Sequence, residues 1–360
     1  LRENIKEMGF KVNELNHNDR IHLKNQVFIN ILAADNCDPS ICYKYFGCAP
    51  LESKYGSTSI DTMSVIDDQD NVLVNTNDCP FELSFTAATT LKEKYSKIDM
   101  LLVGYTSASA YPQCFTLSEA EKIREKERMQ QDFLKKAENY VNLFEPNYFM
   151  PFAGRYTLAG KLAPLNDYRG VTELDDAFRY FTNSKNIDVE KSKCIILNPG
   201  SIFDTETGQP SEPYKKIDKI QKQQYIQNVL AKRKLDYESE QEPEIDEIKS
   251  LIGKCYERFE RKRKELRFSS ETTVLIKLSS EEFLAISCNG NGWKIIKQKN
   301  IDDYKNYVKL SLDTRLLKWI LSGPRYAHWN VAENGSHITF ERTPNVYERG
   351  LYYCLAFFYA

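Results

Sequence analysis

The sequence of 360 residues contains few of the patterns that identify common enzyme classes. It has only four histidines, and no two of them stand at metal-ligand spacing on one predicted element: His17, His22, His328 and His337. The motifs GxGxxG, Walker A, HExxH and GxSxG are absent. The sequence therefore lacks the signatures of dinucleotide binding, P-loop nucleotide hydrolysis, zincin proteolysis and the serine-hydrolase elbow.

The chain also lacks an excess of either charge, since 49 Lys and Arg stand against 51 Asp and Glu. Nucleic-acid binding needs a concentrated basic face, so we expect no nucleic-acid partner. No apolar run approaches the roughly 20 residues of a membrane-spanning helix, and no signal-peptide pattern occurs, so we expect no membrane partner. The nine cysteines form no CxxC pair, which excludes the usual zinc ribbon and gives no disulfide framework. Free thiols favour a cytoplasmic location.

Residues 1–165 alternate between apolar runs and helical patterns, which is typical of an α/β domain. The runs Val27–Ala34, Val72–Asn75 and Ile98–Tyr105 are short and rich in branched residues, so they predict neighbouring strands of one buried sheet. Tyr148–Phe152 predicts a further strand.

A long helix is predicted over 117–145, between two of these strands. Thr116 or Ser118 can cap its beginning, with Glu119 and Glu121 placed for a capping box. Pro146 ends it.

The rest of the chain predicts two further regions. Residues 166–270 are charged and mostly helical, typical of a solvated insertion or linker, and the acidic run Glu238–Glu247 has no apparent apolar anchors. Residues 271–360 predict a small C-terminal α+β module, in which Gly350–Phe358 is expected to be a strand.

The segment Val72–Pro80, VLVNTNDCP, is the most informative for chemistry. A predicted strand ends there in a polar tip that carries Asp78 and Cys79, both of which can ligate a metal. Loops after strand ends commonly carry the chemistry of α/β proteins. The alternative is that Asn77 and Asp78 form a turn or cap the following helix.

Two further segments follow predicted strands. Asp35 and Asp38 come directly after Val27–Ala34, and either carboxylate can serve as a metal ligand or as a loop residue. The cysteines of this segment have the spacing C-x4-C-x5-C, which matches no standard zinc or iron–sulfur signature. The segment Met150–Gly154, MPFAG, ends a strand in small residues that let the backbone approach another group closely.

Taken in order, these segments resemble the second half of a metallo-β-lactamase-fold protein. The stretch STSIDTMSVIDDQDNVLVNTNDCP is similar to the hairpin that delivers a bridging aspartate. The segment IDMLLVGYTSA, the long helix and NYFMPFAGRY then follow in the superfamily's order. The nearest likeness is to the metallo-β-lactamase-like domain of CMP-N-acetylneuraminate hydroxylase and related bacterial proteins. The tail LLKWILSGPRYAHWNVAENGSHITFERTP resembles the end of that hydroxylase.

The resemblance implies a four-layer αββα fold and a metal-dependent hydrolase of an ester, lactone or phosphoester, in sugar or nucleotide-sugar metabolism. It implies zinc as the divalent metal, with Asp78 bridging two ions and Asp35 or Asp38 as further ligands. A metal-bound hydroxide would be the nucleophile. Arg155 and Cys79 would contact a small-molecule anionic substrate, with Arg155 as a bidentate donor.

The sequence also departs from this family. The first metal motif, HxHxDH, is absent, and Phe152-Ala153-Gly154 stands where the family has a later histidine ligand. The start at Leu1 fits a truncation, with that motif upstream. The alternative is a catalytically degenerate scaffold or interaction protein. The Rieske pattern CxH…CxxH is also absent, so this chain alone is not an oxygenase of the hydroxylase type.

Overall fold

The computed structural model describes residues 2–33 and 62–360, which form a mixed α/β structure. The strands are β1 Arg20–Lys24, β2 Val27–Ala33, β3 Thr62–Asp67, β4 Val72–Asn75, β5 Met100–Gly104, β6 Tyr148–Phe152, β7 Lys193–Cys194, β8 Phe203–Asp204, β9 Gln209–Pro210, β10 Thr273–Lys277, β11 Glu282–Ser287, β12 Trp293–Lys297, β13 Tyr307–Ser311 and β14 Thr339–Thr343. The α-helices are α1 Arg2–Glu7, α2 Phe85–Lys94, α3 Glu119–Phe144, α4 Leu174–Thr182, α5 Lys219–Asn228, α6 Ile245–Glu265, α7 Thr314–Ser322, α8 Trp329–Asn334 and α9 Arg349–Leu355.

The first sheet has seven strands in the order β1 to β7. Its first four strands are antiparallel neighbours, and β4 to β7 are parallel. The prediction that Val27–Ala34, Val72–Asn75 and Ile98–Tyr105 share one sheet is confirmed. They are not all neighbours, because β3 pairs with both β2 and β4 and so lies between them.

Helices α2, α3 and α4 cover one face of this sheet. Each parallel crossover adds the next strand at the same edge, so right-handed connections place all three helices on the same side. Their apolar residues share one core with alternate strand residues, among them Leu32, Val65, Val74, Leu101 and Phe149.

The long helix α3 begins and ends close to the predicted positions. Ser118 Oγ accepts from the backbone N–H of Glu121 at 3.3 Å, and the Glu121 carboxylate accepts from the backbone N–H of Ser118 at 2.9 Å. This reciprocal pair is the predicted capping box.

The second sheet has five strands in the order β12-β11-β10-β13-β14. Helices α6 to α9 supply most of the apolar side chains that cover one of its faces. Ala110, Cys114 and Phe115, from the connection between β5 and α3, pack into the same core. Phe340 of β14 donates its backbone N–H to Cys114 O at 2.8 Å and accepts from Thr116 N, so this connection is bonded to the second sheet.

The expectation for Gly350–Phe358 is wrong, because residues 349–355 form helix α9. A short continuous apolar run fits a buried strand and a buried helix equally well, and Leu351, Tyr352 and Leu355 are fully buried here. The strand β13 had no sequence prediction.

The acidic run Glu238–Glu247 is anchored, contrary to the sequence expectation. Pro243 within it and Tyr237 beside it are buried. Glu238 forms an ion pair with Lys161 at 3.3 Å, and Glu247 pairs with Lys318 at 2.5 Å.

The proposed division at residues 165 and 270 remains a prediction, and many contacts cross it. Helix α4 and strand β7, which follow residue 165, belong to the first sheet and its core. Helix α6, which precedes residue 270, packs Ile248, Ile252, Cys255 and Phe259 into the core of the second sheet. The four-layer αββα arrangement also remains a prediction.

Six cysteines among the described residues are free thiols: Cys79, Cys114, Cys194, Cys255, Cys288 and Cys354. In the same part of the chain, no helix has the length and apolar character needed to cross a membrane.

Candidate functional site

The carboxyl ends of four strands meet at one edge of the first sheet. Strands β4, β5 and β6 are parallel, so they end at the same edge. Strand β2 has the same direction, because it is antiparallel to β3 and β3 is antiparallel to β4. This edge is where open α/β sheets place their ligands.

The turn after β4 is held to its neighbours by its own polar side chains. Asn77 has a left-handed backbone (φ +46°), and its side-chain amide donates to Thr62 O of β3 at 2.7 Å. The backbone N–H of Asn77 donates to Asn75 Oδ1 at 2.9 Å. Thr76 Oγ1 accepts from the backbone N–H of Gly104 of β5 at 3.2 Å. These bonds fix the turn that presents Asp78.

Asp78 is exposed at this turn, whereas Cys79 is only 5% exposed. The N-cap positions of the short 3-10 helix Phe81–Leu83 and of α2 are Pro80 and Ser84, so Asp78 occupies neither. Asp78 is therefore not a helix cap, but Asn77 and Asp78 do form a turn, which was the other part of the alternative predicted from the sequence. The carbonyl of Cys79 accepts from Tyr140 Oη of α3 at 3.0 Å, which ties the turn to the helical layer.

A cavity of about 100 Å³ lies at this edge. It brings the turn after β4 together with the loops after β5 and β6, and with one face of α3. The lining residues are Asn77, Asp78, Cys79, Pro80, Gly104, Thr106, Ser107, Ala108, Phe133, Lys136, Tyr140, Phe152, Ala153 and Gly154.

Two glycines allow the backbone segments around this cavity to approach one another. A Cβ on Gly104 would lie 2.8 Å from the backbone oxygen of Asn77. Gly154 has φ +81°, and a Cβ there would lie 2.6 Å from Thr106 Cγ2. The small-residue turn singled out in MPFAG thus serves a close backbone approach.

The cation that lines this cavity, Lys136, was not predicted from the sequence. Its side chain is 14% exposed, and its Nζ lies 3.7 Å from a carboxylate oxygen of Glu82. Nothing in the charged pattern of α3 distinguishes this lysine from its neighbours.

Arg155, a predicted substrate contact, is paired within the protein. Its Nη2 lies 3.0 Å from Glu173 Oε2, and Lys222 bonds the other oxygen of the same carboxylate. Burial disfavours the charged form of Glu173, but Lys222 and Arg155 outweigh it and hold the pKa of this carboxyl below its usual range. Arg155 therefore has an internal anionic partner.

The other predicted ligands, Asp35 and Asp38, lie outside the described residues. In residues 2–33 and 62–360, no group of three His, Cys, Asp or Glu side chains is arranged to hold a metal ion. Structural and catalytic zinc sites use three or four protein ligands, so the described residues alone do not fit a zinc centre.

One histidine lies at the same edge without having been predicted there. His17 Nδ1 accepts from the backbone N–H of Ala33, the last residue of β2, at 3.1 Å. The residue precedes β1 in the chain, and it reaches this edge because β1 pairs with β2 and the backbone N–H of Asn18 donates to Ile31 O of β2 at 2.7 Å.

Comparisons with known proteins add little to this geometry. No protein-family model matches the chain, and no curated protein does. Among solved structures, the chain is similar to CmlA β-hydroxylase in its E377D mutant, with a TM-score of 0.30 and 13% sequence identity. The likeness covers 54% of this chain and 34% of that one, so the chain spans about a third of that protein's length. A likeness this weak carries no argument about fold or activity.

Proposed function

We propose that the chain is a metal-dependent hydrolase-type protein whose site is the carboxyl edge of the first sheet, with Asp78 as one metal ligand. The observation that carries the proposal is the position of Asp78. It is an exposed carboxylate at the end of a parallel strand, and it lines a cavity shared with two neighbouring strand ends.

The remaining ligands are proposed to come from the segment after β2. Asp35 follows Ala33, the last residue of β2, by two positions in the sequence, and Asp38 by five. The end of β2 is at the same edge as Asp78. Zinc, which accepts carboxylate and histidine ligands, is the metal we propose.

The chain's own residues suggest how a substrate would be held. Lys136 provides a cation in the cavity, and Thr106 and Ser107 provide hydroxyl groups. Both cations have a carboxylate partner within the protein, Glu173 for Arg155 and Glu82 for Lys136, and we favour Lys136 because it lines the cavity. We propose a small anionic ester, lactone or phosphoester as the substrate, with its negative group near Lys136.

The test combines metal binding with hydrolysis. The full chain is loaded with zinc, metal content is measured by mass spectrometry, and hydrolysis is measured with chromogenic ester, lactone and phosphodiester substrates. The variant Asp78→Asn is compared with Asp70→Asn, an exposed aspartate at the opposite end of β4. We expect bound zinc and activity in the wild type and in Asp70→Asn, and loss of both in Asp78→Asn.

A second candidate function is a non-catalytic interaction protein. The absence of a three-ligand group from the described residues favours it. This candidate predicts no stoichiometric zinc in the wild type and no hydrolysis of any substrate in the panel. Zinc content that is equal in Asp78→Asn and the wild type would also count against the metal-ligand proposal.

A further inference from the structure

A separate cavity lies beside the second sheet, where it is lined by helices α7 and α8 and by the segment 233–237. Its volume is about 360 Å³. Small-molecule sites in proteins usually have volumes of about 300–1,000 Å³. This cavity shares no lining residue with the cavity around Asp78, so a ligand bound in it would not depend on a metal at the first sheet.

Aromatic side chains form much of the wall of this cavity. Tyr237 is 5% exposed, and its ring lies 6.5 Å from that of Trp319 in an edge-to-face arrangement. At the rim, Tyr326 is 61% exposed and Val331 is 69% exposed. Large apolar side chains that are exposed together around a cavity are typical of a binding site. Such a wall favours a planar aromatic ligand, because aromatic rings gain from stacked and edge-to-face contacts.

Two N–H groups of this wall are available to a ligand. The indole N–H of Trp319 has no hydrogen-bond partner among the described residues. His328 Nδ1 accepts from the backbone N–H of Asn330 at 3.1 Å, so the proton of the neutral ring is on Nε2, which has no partner in the same part of the chain. Burial lowers the pKa of His328, so its ring is neutral at neutral pH. Neither N–H group is fully buried, and both can donate to a ligand that enters the cavity.

Two cations at the rim add further donors. Arg233 and Lys234 are exposed, line the cavity and form no ion pair with any described residue. Asp236 is the one acidic side chain among the described residues of the lining, so the cations exceed the anions there. A carboxylate accepts hydrogen bonds without donating any, and it binds most strongly to charged donors. The polar part of the cavity therefore suits a carboxylate.

The segment that carries these cations is held in place without a ligand. A Cβ on Gly160, which has φ +58°, would lie 2.7 Å from Arg233 O, so the two backbones approach closely here. The backbone N–H of Leu235 donates to Glu238 Oε2 at 2.7 Å, and Glu238 also pairs with Lys161 at 3.3 Å. A preorganised wall lowers the entropy cost of binding.

We propose that this cavity binds a small aromatic carboxylate, with its ring against Trp319 and Tyr326 and its carboxylate near Arg233, Lys234 and the Nε2–H of His328. The aromatic wall supports the ring, and the unpaired donors support the carboxylate. The site is additional to the metal site proposed at Asp78 and does not depend on it.

The test is a calorimetric titration of the full chain with two aromatic acids, benzoate and indole-3-acetate. Indole-3-acetamide is the uncharged control, and cyclohexylacetate is the control that lacks an aromatic ring. We expect at least one aromatic acid to bind with a Kd of about 1 mM or below, and each control compound to bind at least about tenfold more weakly.

Substitutions at the exposed rim locate the binding without disturbing the core. Tyr326→Ala should weaken binding by about two- to tenfold, because it removes an aromatic contact. Arg233→Gln and Lys234→Gln should each weaken it by about two- to fivefold, as for the loss of an exposed ion pair.

The matched controls are Tyr225→Ala, at a 50% exposed tyrosine, and Lys232→Gln, at an exposed lysine. Neither residue lines the cavity, so both variants should bind as the wild type does. The proposal is overturned if neither aromatic acid binds the wild type, or if a control compound binds as tightly. It is also overturned if the three rim variants weaken binding no more than the two control variants.

Discussion

The two large sheets differ in what they bury. The first sheet and its helices bury ionised or strongly polar side chains, including Asn30, Asp67 and Glu138, each at most 3% exposed. The second sheet has a larger core of aliphatic and aromatic residues, many of them from four helices, and it also buries one carboxylate of those helices, Glu333. Buried polar groups need specific partners and contribute little net stability. We therefore expect the larger apolar core of the second sheet to contribute most of the stability, and we expect the first sheet to carry the metal-ligand chemistry.

The largest effect is expected from a truncation in the core of the second sheet. Phe259 of α6 is fully buried, and its ring lies 6.3 Å from that of Phe358 in an edge-to-face arrangement. Phe259→Ala should lower the free energy of unfolding by about 3–5 kcal/mol, measured by urea denaturation. Phe10→Ala, at a 61% exposed phenylalanine, is the control. If the two variants lost similar amounts of unfolding free energy, the expectation that the core of the second sheet contributes most of the stability would be contradicted.

A smaller effect is expected from the buried carboxylate of the first region. Glu138 of α3 is 1% exposed and accepts from Lys135, Ser184 and Asn186. Glu138→Gln should lower the free energy of unfolding by about 1–3 kcal/mol, because it removes charged hydrogen bonds. Glu127→Gln, at an exposed position of the same helix, should have little effect.

The difference in the free energy of unfolding between Glu138→Gln and the wild type should also depend on pH. Burial disfavours the ionised form, but the bonds from Lys135, Ser184 and Asn186 outweigh it, so the pKa of Glu138 is lowered from 4.5. A lowered pKa gives stability that is present above 4.5 and is lost as the pH falls through the folded-state value. The difference should therefore shrink in acid, and a difference that grows there would refute this account.

A still smaller loss of stability is expected from a substitution at Gly104, the last residue of β5. A Cβ at Gly104 would lie 2.8 Å from Asn77 O, so Gly104→Ala must displace the turn that carries Asp78. We expect a loss of about 1–2 kcal/mol, as for moderate overpacking. In contrast, Gly253→Ala on α6 has open space and should be neutral or stabilising. Thermal unfolding of the two variants compares them directly.

The smallest effect on stability is expected at Asp78 itself. Its side chain is exposed and occupies no helix-cap position, so Asp78→Asn should change the free energy of unfolding by less than about 0.5 kcal/mol. Chemical denaturation of the metal-free protein measures this change. A loss of more than about 1 kcal/mol would indicate a structural role for the carboxylate instead.

The sequence predicts the strands and helices of the first sheet better than it predicts how they are arranged next to one another. Capping residues and branched runs are local signals, so α3 and β4 could be predicted from Ser118 and Val72–Asn75. The cavity, in contrast, depends on strand order and on close approach at Gly154, which are non-local. Lys136 could not be identified as a residue of the cavity, because one lysine among 49 basic residues carries no local mark. Helix α9 was missed because a short apolar run has no distinguishing period.

The most direct measurement of the central claim is anomalous diffraction at the zinc absorption edge from crystals of the zinc-loaded chain. We predict a zinc peak about 2.0–2.2 Å from an oxygen of the Asp78 carboxylate, at the carboxyl edge of the first sheet. A zinc peak bound elsewhere with Asp78 unliganded, or no zinc peak in the loaded crystal, would contradict the claim that this edge is the metal site.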